Sequence, residues 1–281
     1  MSTRRGFTLA ELLVGMVILG IIGVALSTLI LSQSRFYDNQ AQRRRARFVS
    51  RAAVNAALSD LRMVEATNGI VSATPTQVVV RVPYAMGIAC GHAGAVETVA
   101  LFPSDSTLYA NAGFTGFAWR DSLGSYTYVE AGVTLGVGVA ATCNAANVTV
   151  LPTGRVVTVS PVGFPGTYPV VTEIGSPILL YQRMTYEFKA SSAMPGRTAL
   201  WRTIQATGQT DELVAPFDTS AKFRFFVINS DTAQNAVPAP VTNIRGFELN
   251  FNAQSDRVSE GSGALNSSQV VTAVFFNNRV K

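Results

Sequence analysis

The chain opens MSTRRGFTLAELLVGMVILGIIGVALSTLILSQSR (residues 1–35), and from Leu12 to Ser34 it carries no charged side chain. A hydrocarbon core about 30 Å thick needs about 20 helical residues to cross it. Leu12 to Leu31 supplies them, rich in Leu, Ile and Val, with Gly15, Gly20 and Gly23 interspersed. Such glycines are tolerated in membrane helices and let helices approach one another. Glu11 stands at the head of this run. Deep in a bilayer its charge would cost roughly 2–3 kcal/mol unless a cation met it. At the interface it would instead complement the positive end of the helix dipole. The residue alone allows either role.

From Arg35 to about Thr67 there is neither Pro nor Gly, and Val54, Ala57, Leu58, Leu61 and Val64 recur at spacings of three and four. That pattern predicts that the helix continues as an amphipathic stem, ended by Asn68-Gly69. A helix from Phe7 to Thr67 would be about 90 Å long at 1.5 Å per residue. This is far more than a bilayer requires, so the second half is predicted to pack on the rest of the protein.

Apolar residues make up 48% of the chain and charged residues 14%, which suits a membrane segment followed by a weakly charged globule. Residues 1–62 hold nine arginines against Glu11, Asp38 and Asp60, leaving 13 of the 22 basic and 14 of the 17 acidic residues for 63–281. The basic excess is therefore N-terminal. Arg43, Arg44, Arg45, Arg47 and Arg51 form its densest run, and clustered arginines can neutralise phosphates. Spread over nine helical positions, they are expected to point around most of the circumference, with Phe48 the nearest aromatic. A solvated or subunit-facing surface is expected ahead of lipid headgroups, and nucleic acid is not expected as a partner.

After Gly69 the pattern turns to short strand-like runs bounded by Gly, Pro, Asn and Asp: Gln77–Tyr84, Val96–Phe102, Arg155–Ser160, Ile178–Phe188, Thr198–Ile204, Lys222–Asn229, Ile244–Phe251 and Gln269–Phe276. An antiparallel-sheet domain is predicted, with Tyr181–Phe188 and Thr198–Ile204 as a hairpin. The Gly- and Ala-rich stretches Ala85–Ala95 and Ala131–Ala146 are expected to be long surface loops or a variable insertion.

Little in this region points to chemistry. His92 is the only histidine, so any Ser-His-Asp site would have to be built on it. Cys90 lies two residues away, but no further Cys or His spacing supports a zinc site. No phosphate loop or nucleophile elbow occurs. Asp231 and Asp256 lack calcium-loop spacing and are expected in turns. Neither a metal nor a cofactor is expected, and no catalytic residue is assigned. Cys90 and Cys143 are the only cysteines. In an exported domain they could close a loop of about fifty residues, stabilising by roughly 4 kcal/mol in the loop-entropy model; two buried free thiols are the alternative.

RRGFTLAELL followed by the apolar helix resembles the class III signal of type IV prepilins and type II secretion pseudopilins. That signal is a short basic leader, Gly, Phe, then Glu as fifth residue of the mature chain. The resemblance implies cleavage by prepilin peptidase after Gly6, with Phe7 as the new, N-methylated terminus. It implies that Glu11 pairs with the Phe7 amine of a neighbouring subunit, the cation its carboxylate would need. Arg4 and Arg5 against Arg35 and Arg43–Arg47 oppose one another under the positive-inside rule; the resemblance places the leader inside. An export signal of the twin-arginine kind is disfavoured by Glu11, by an apolar run longer than the usual ~7–15 residues and by the lack of an A-x-A site. An ordinary single-pass anchor would leave Gly6-Phe7 and Glu11 unexplained.

SRFY at Ser34–Tyr37, ALSDLRM at Ala57–Met63, and YQRMTYEFK with ALWRTI are similar to segments of J-type minor pseudopilins and W-type minor pilins. The kinking proline of major pilins is absent, with Thr28 at that place. The fold expected is α+β and pilin-like: leader 1–6, transmembrane and assembly helix 7–34, amphipathic stem 35–67, and a β-rich globular domain 68–281. The implied role is a non-enzymatic minor pilin or pseudopilin of a type IV pilus or type II secretion pseudopilus, at the tip as a priming subunit. Its implied partners are prepilin peptidase, other minor and major subunits, and an inner-membrane assembly platform. The implied location is the inner membrane, single-pass, with the C-terminal domain outside the cytoplasm. A membrane-anchored envelope binding module, an adhesin or DNA-uptake receptor, is the alternative.

Overall fold

A computed structural model describes residues 8–65, 68–108, 113–120, 126–130, 132–161, 174–260 and 263–276. One helix, α1 (Leu9–Leu61), accounts for 53 residues, a rod of about 80 Å. It starts at Thr8, whose side-chain oxygen caps the Glu11 N–H while the Glu11 carboxylate accepts from the Thr8 N–H. This reciprocal capping box satisfies two of the donors a helix start leaves open.

The helix stops at Leu61, with Arg62 as its C-cap, short of the predicted end near Thr67. The last turn tightens, Met63 N donating to Asp60 O and Val64 N to Leu61 O. Beyond this turn Ile70 is buried in the core at the start of the first strand. Gly69 N donates to Glu65 O, and the two lie so close that a Cβ on Gly69 would meet that oxygen at 2.3 Å. A local pattern of three and four cannot register a stop imposed by the next strand.

Thirteen strands follow among the described residues. They are β1 (Ile70–Ala73), β2 (Gln77–Ala93), β3 (Val96–Leu101), β4 (Gly116–Arg120), β5 (Tyr126–Val129), β6 (Val133–Val137), β7 (Val156–Pro161), β8 (Pro177–Ala190), β9 (Thr198–Ile204), β10 (Gln209–Phe217), β11 (Lys222–Val227), β12 (Ile244–Val258) and β13 (Leu265–Phe275), with a short helix α2 (Ala140–Ala145) between β6 and β7. They pair antiparallel in the order β11-β12-β10-β9-β8-β2-β3-β7-β6. β13 is added along β12, β1 on β2, and the β4–β5 hairpin on β8. The fold is α+β, one long helix with a large antiparallel sheet, as the sequence pattern predicts. The β8–β9 hairpin pairs Met184 with Ile204 through Ala190 with Thr198.

Two predicted loops are regular structure. Ala85–Ala95 is mostly the second half of β2, which reads as a loop because of its Pro and Gly. Pro83 is accommodated at a register shift, where a missing N–H is tolerated. Gly87 is needed because β3 crosses so closely that a Cβ would meet Ala100 O at 2.5 Å. Ala131–Ala146 holds β6 and α2.

The sheet carries two cores. The first lies under the stem half of α1, whose buried residues Gln42, Ala46, Val49, Ser50, Ala53, Ala57 and Leu61 recur at steps of three and four. Ala46, Ala53 and Ala57 are fully buried and let the helix sit close on the sheet. The floor is aromatic: Phe188 packs on Phe217, Phe223 and Phe251 with ring centroids 5.1 to 5.7 Å apart, edge-on or tilted arrangements that rings prefer. Along β12 the inward residues Phe247, Leu249, Phe251 and Ala253 alternate with polar ones, the period of two of a half-buried strand. The second core begins where the helix ends. Ala85 and Ala89 of β2, Val99 and Leu101 of β3, Phe117 and Trp119 of β4, Val157 and Val159 of β7, and Ile178 and Leu180 of β8 form it without any contribution from α1. Beside it α2 is held to β2 through Cys143 and Cys90, whose sulfurs lie at disulfide-bonding distance, 1.98 Å, and are buried with Ala100 and Val156.

Candidate functional site

The feature that needs a partner is the first half of α1. Every residue from Leu9 to Tyr37 except Gly15 is exposed, and Gly15 is only partly covered. Leu9 is 81% and Leu19 70% exposed. This stretch projects about 43 Å beyond the domain, and its most apolar window has a mean hydropathy of 2.6 with none of it buried. An uncovered apolar surface of this size is not stable in water.

The stretch is suited to an apolar environment in its polar details as well. Ser27 Oγ donates to Gly23 O, Thr28 Oγ1 to Ala25 O and Ser32 Oγ to Leu29 O, each at 2.8 Å. The hydroxyls are therefore satisfied within the helix, as lipid requires. The positions a Cβ would take on Gly15, Gly20 and Gly23 are open space. Gly20, Gly23 and Ser27 fall within about 60° of one another around the helix, a shallow face on which another helix can lie.

Glu11 sits in the first turn, its Oε2 accepting from Thr8 N at 2.9 Å and from Thr8 Oγ1 at 3.1 Å. Thr8 is a residue that sequence reasoning passed over, although Thr-x-x-Glu before an apolar run is a recognisable capping signature. Gly6 and Phe7, the expected cleavage and methylation positions, lie outside the described residues.

The stem half is pinned at three levels. Near its start Asp38 accepts from the Glu260 N–H at 2.8 Å and from Arg257 Nη2 at 2.7 Å. The Glu260 N–H, the Gln42 amide and the Arg257 guanidinium hold the Asp38 carboxyl below the usual carboxylate range. Midway, Ser50 Oγ donates to Ser268 O at 3.0 Å. At the end, the Tyr186 hydroxyl donates to Asp60, with Arg202 4.0 Å from the same carboxylate. Burial, with the Asp60 charge beside it, pushes the Tyr186 phenol well above its ordinary value, so it stays protonated and a donor. None of these long-range partners, up to 222 residues away, has a signature in local sequence.

The arginine run differs from its expectation. Arg45 alone pairs, with Asp256 at 3.2 Å. Arg43, Arg44, Arg47 and Arg51 are exposed, have no ion pair among the described residues, and fall within an arc of about 100° rather than around the circumference.

Of the other candidates, His92 is exposed at the end of β2 opposite Glu97, while Cys90 is turned to Cys143. Asp231 and Asp256 are far apart, each facing an arginine, Asp231 at 2.6 Å from Arg245. Among the described residues no three His, Cys, Asp or Glu side chains gather as a metal site.

The family model for the prokaryotic N-terminal methylation motif matches residues 1–27. No curated protein and no solved structure matches the chain. The motif, together with the long apolar helix, supports a membrane-anchored, type IV pilin-like or pseudopilin protein; prepilin peptidase and other pilin subunits are the partners it implies.

Proposed function

We propose that this chain is a minor pilin or pseudopilin without catalytic activity of its own. It is cut after Gly6, methylated on Phe7, and assembled into a filament through the helix that begins there. The observation that carries the proposal is the uncovered apolar half of α1, coupled to the methylation motif at its head. In a bilayer that surface is solvated by lipid, and in a filament by the helices of neighbours. Glu11, whose local hydrogen bonds leave its charge uncompensated, then meets the amine of a neighbour's Phe7. Before processing the N-terminus is cytoplasmic and the sheet domain lies outside the cytoplasm, where Cys90 and Cys143 oxidise.

A minor, tip-located role is supported by the second core. It extends past the C-terminal end of α1, on the side away from the membrane, where a subunit inside a filament would need room for the next one. The absence of a helix-kinking proline at Thr28 points the same way. Type IV pilus and type II secretion pseudopilus both fit this role.

Mass spectrometry of the protein recovered from membranes is the direct test. An N-terminus at monomethylated Phe7 is expected, and a start at Met1 or near Ser27 would sink the proposal. An envelope binding module is the second reading. It has one feature in its favour, a cleft of about 440 Å³ lined by Asp60, Met63, Tyr84 and Gln182 among others. There the Tyr84 hydroxyl and the Gln182 side-chain amide oxygen are buried without a hydrogen-bond partner among the described residues.

A further inference from the structure

We propose that the outer edge of β13 accepts an extended acidic segment of a partner polypeptide as an additional strand. β13 pairs on one side only, with β12, in an unbroken register from Gly246 opposite Phe275 to Gln254 opposite Ser267. The direction of its backbone groups follows from two bonds. Phe276 N donates to Arg245 O, so residue 276 and, by alternation, 274, 272, 270 and 268 face β12. Asn252 O, on the other parity of β12, accepts from Asp218 N on the opposite side. The N–H and C=O groups of Ser267, Gln269, Val271, Ala273 and Phe275 therefore point outward, and none has a backbone partner among the described residues.

Sheets normally defend such an edge with charge, proline, a bulge or a short strand. β13 carries neither charge nor proline over its 11 residues, LNSSQVVTAVF, and the register shift of the pair is confined to the hairpin end, between Gln254 and Val258. The contrast with the outer edge of β11 is direct. There Phe225 exchanges both backbone bonds with Gln234, and Phe223 N donates to Pro75 O. β6, at the far end of the sheet, is only five residues long.

Charge identifies the occupant. Ser50, bonded to Ser268 O, marks the flank of α1 on the β13 side, and Arg45, paired with Asp256, marks the opposite flank. At about 100° per residue, Arg43 and Arg47 lie about 20° and 60° from Ser50, on its flank, whereas Arg51 and Arg44 lie about 100° and 120° from it, on the helix face turned away from the sheet. In the stem and hairpin, Asp38 and Asp256 are already engaged with Arg257 and Arg45. An incoming strand would thus gain main-chain bonds from β13, and its carboxylates would meet the guanidinium groups of Arg43 and Arg47. A second copy of β13 would bring the backbone but no carboxylate.

The test uses the full chain in detergent and a labelled ten-residue peptide alternating Val and Glu. Fluorescence anisotropy should show saturable binding that weakens with salt. Ala273→Pro removes an outward N–H and leaves the β12 pairing intact; it should weaken binding by about tenfold or more while the melting temperature stays put. If that variant melts early, Val271→Glu sets a like charge beside the incoming carboxylates and should weaken binding as well. Arg43→Ala with Arg47→Ala should weaken binding and flatten its salt dependence. The corresponding Val-Lys peptide should not bind. Absence of binding to the wild type would overturn the proposal, as would equal binding by both edge variants, which would leave only nonspecific attraction to the arginines. Self-association of the chain that Ala273→Pro abolishes would assign the edge to a second copy and overturn the acidic partner.

Discussion

Replacing Glu11 by Gln separates the two roles its position allows. In the structure the carboxylate closes a capping box, accepting from Thr8 N at 2.9 Å while Thr8 Oγ1 accepts from Glu11 N at 3.3 Å. A glutamine can make the same bonds, so the first turn should survive, whereas Glu11→Ala should lose about 1 kcal/mol of capping. If the carboxylate also neutralises a neighbour's terminal amine inside an apolar helix bundle, Gln leaves that amine buried and unpaired, at about 3–5 kcal/mol. At 1.4 kcal/mol per factor of ten, subunit association should then fall by roughly two to three and a half orders of magnitude. The assay compares the amount of the chain in sheared filaments with the amount in the membrane fraction, for wild type, Glu11→Gln and Glu11→Ala at equal expression. Circular dichroism of the detergent-solubilised proteins controls for helix content. Both variants should be lost from filaments and remain in membranes, with near-normal helix in Glu11→Gln. If Glu11→Gln assembles within a few-fold of wild type while Glu11→Ala does not, the carboxylate is a cap and no more.

Three further outcomes follow from the stem and the second core. Tyr186→Phe removes the buried hydroxyl that donates to Asp60; at about 2 kcal/mol for a bond to a charged group and about 2–4 °C per kcal/mol, the melting temperature should drop by about 4–8 °C, and an unchanged melt would remove Asp60 as an anchor of the helix end. Reducing the Cys90–Cys143 pair, which spans 53 residues, should cost about 4 kcal/mol and lower the melting temperature by about 10 °C, whereas indifference to reductant would show free thiols. The Asp38 carboxyl is held below its ordinary range in the folded chain, so its contribution is present above the unfolded carboxylate pKa of about 4 and is lost as pH falls through the lowered value. Amide exchange of α1 around Asp38 and of the Glu260 N–H should accelerate across that acid range, and Asp38→Asn should remove this dependence; equal pH profiles for the two proteins would refute it.

The N-terminal helix was legible because its physics is local. Twenty apolar residues without charge specify a spanning helix wherever the chain goes, and Thr8 to Glu11 specifies its start. Period-two runs such as Lys222–Val227 and Ile244–Ala253 likewise specify strands with one buried face, and the Tyr181–Phe188 and Thr198–Ile204 runs find each other across a short turn. What the sequence left open depended on neighbours distant along the chain. The second half of β2 is a strand only because β3 and β8 flank it, and Pro83 and Gly87 are intelligible only beside a register shift and the Ala100 carbonyl. The helix ends at Leu61, with Ile70 buried in the core beyond it. The stem docks through Asp38, Ser50 and Asp60, whose partners lie 126 to 222 residues away. Arg43 and Arg47 are left on the flank of α1 toward β13 while Asp256 takes Arg45, and only the tertiary structure sets them beside a strand edge that has no backbone partner among the described residues. Local periodicity determines what a segment can bury; which surface remains unburied depends on the whole fold.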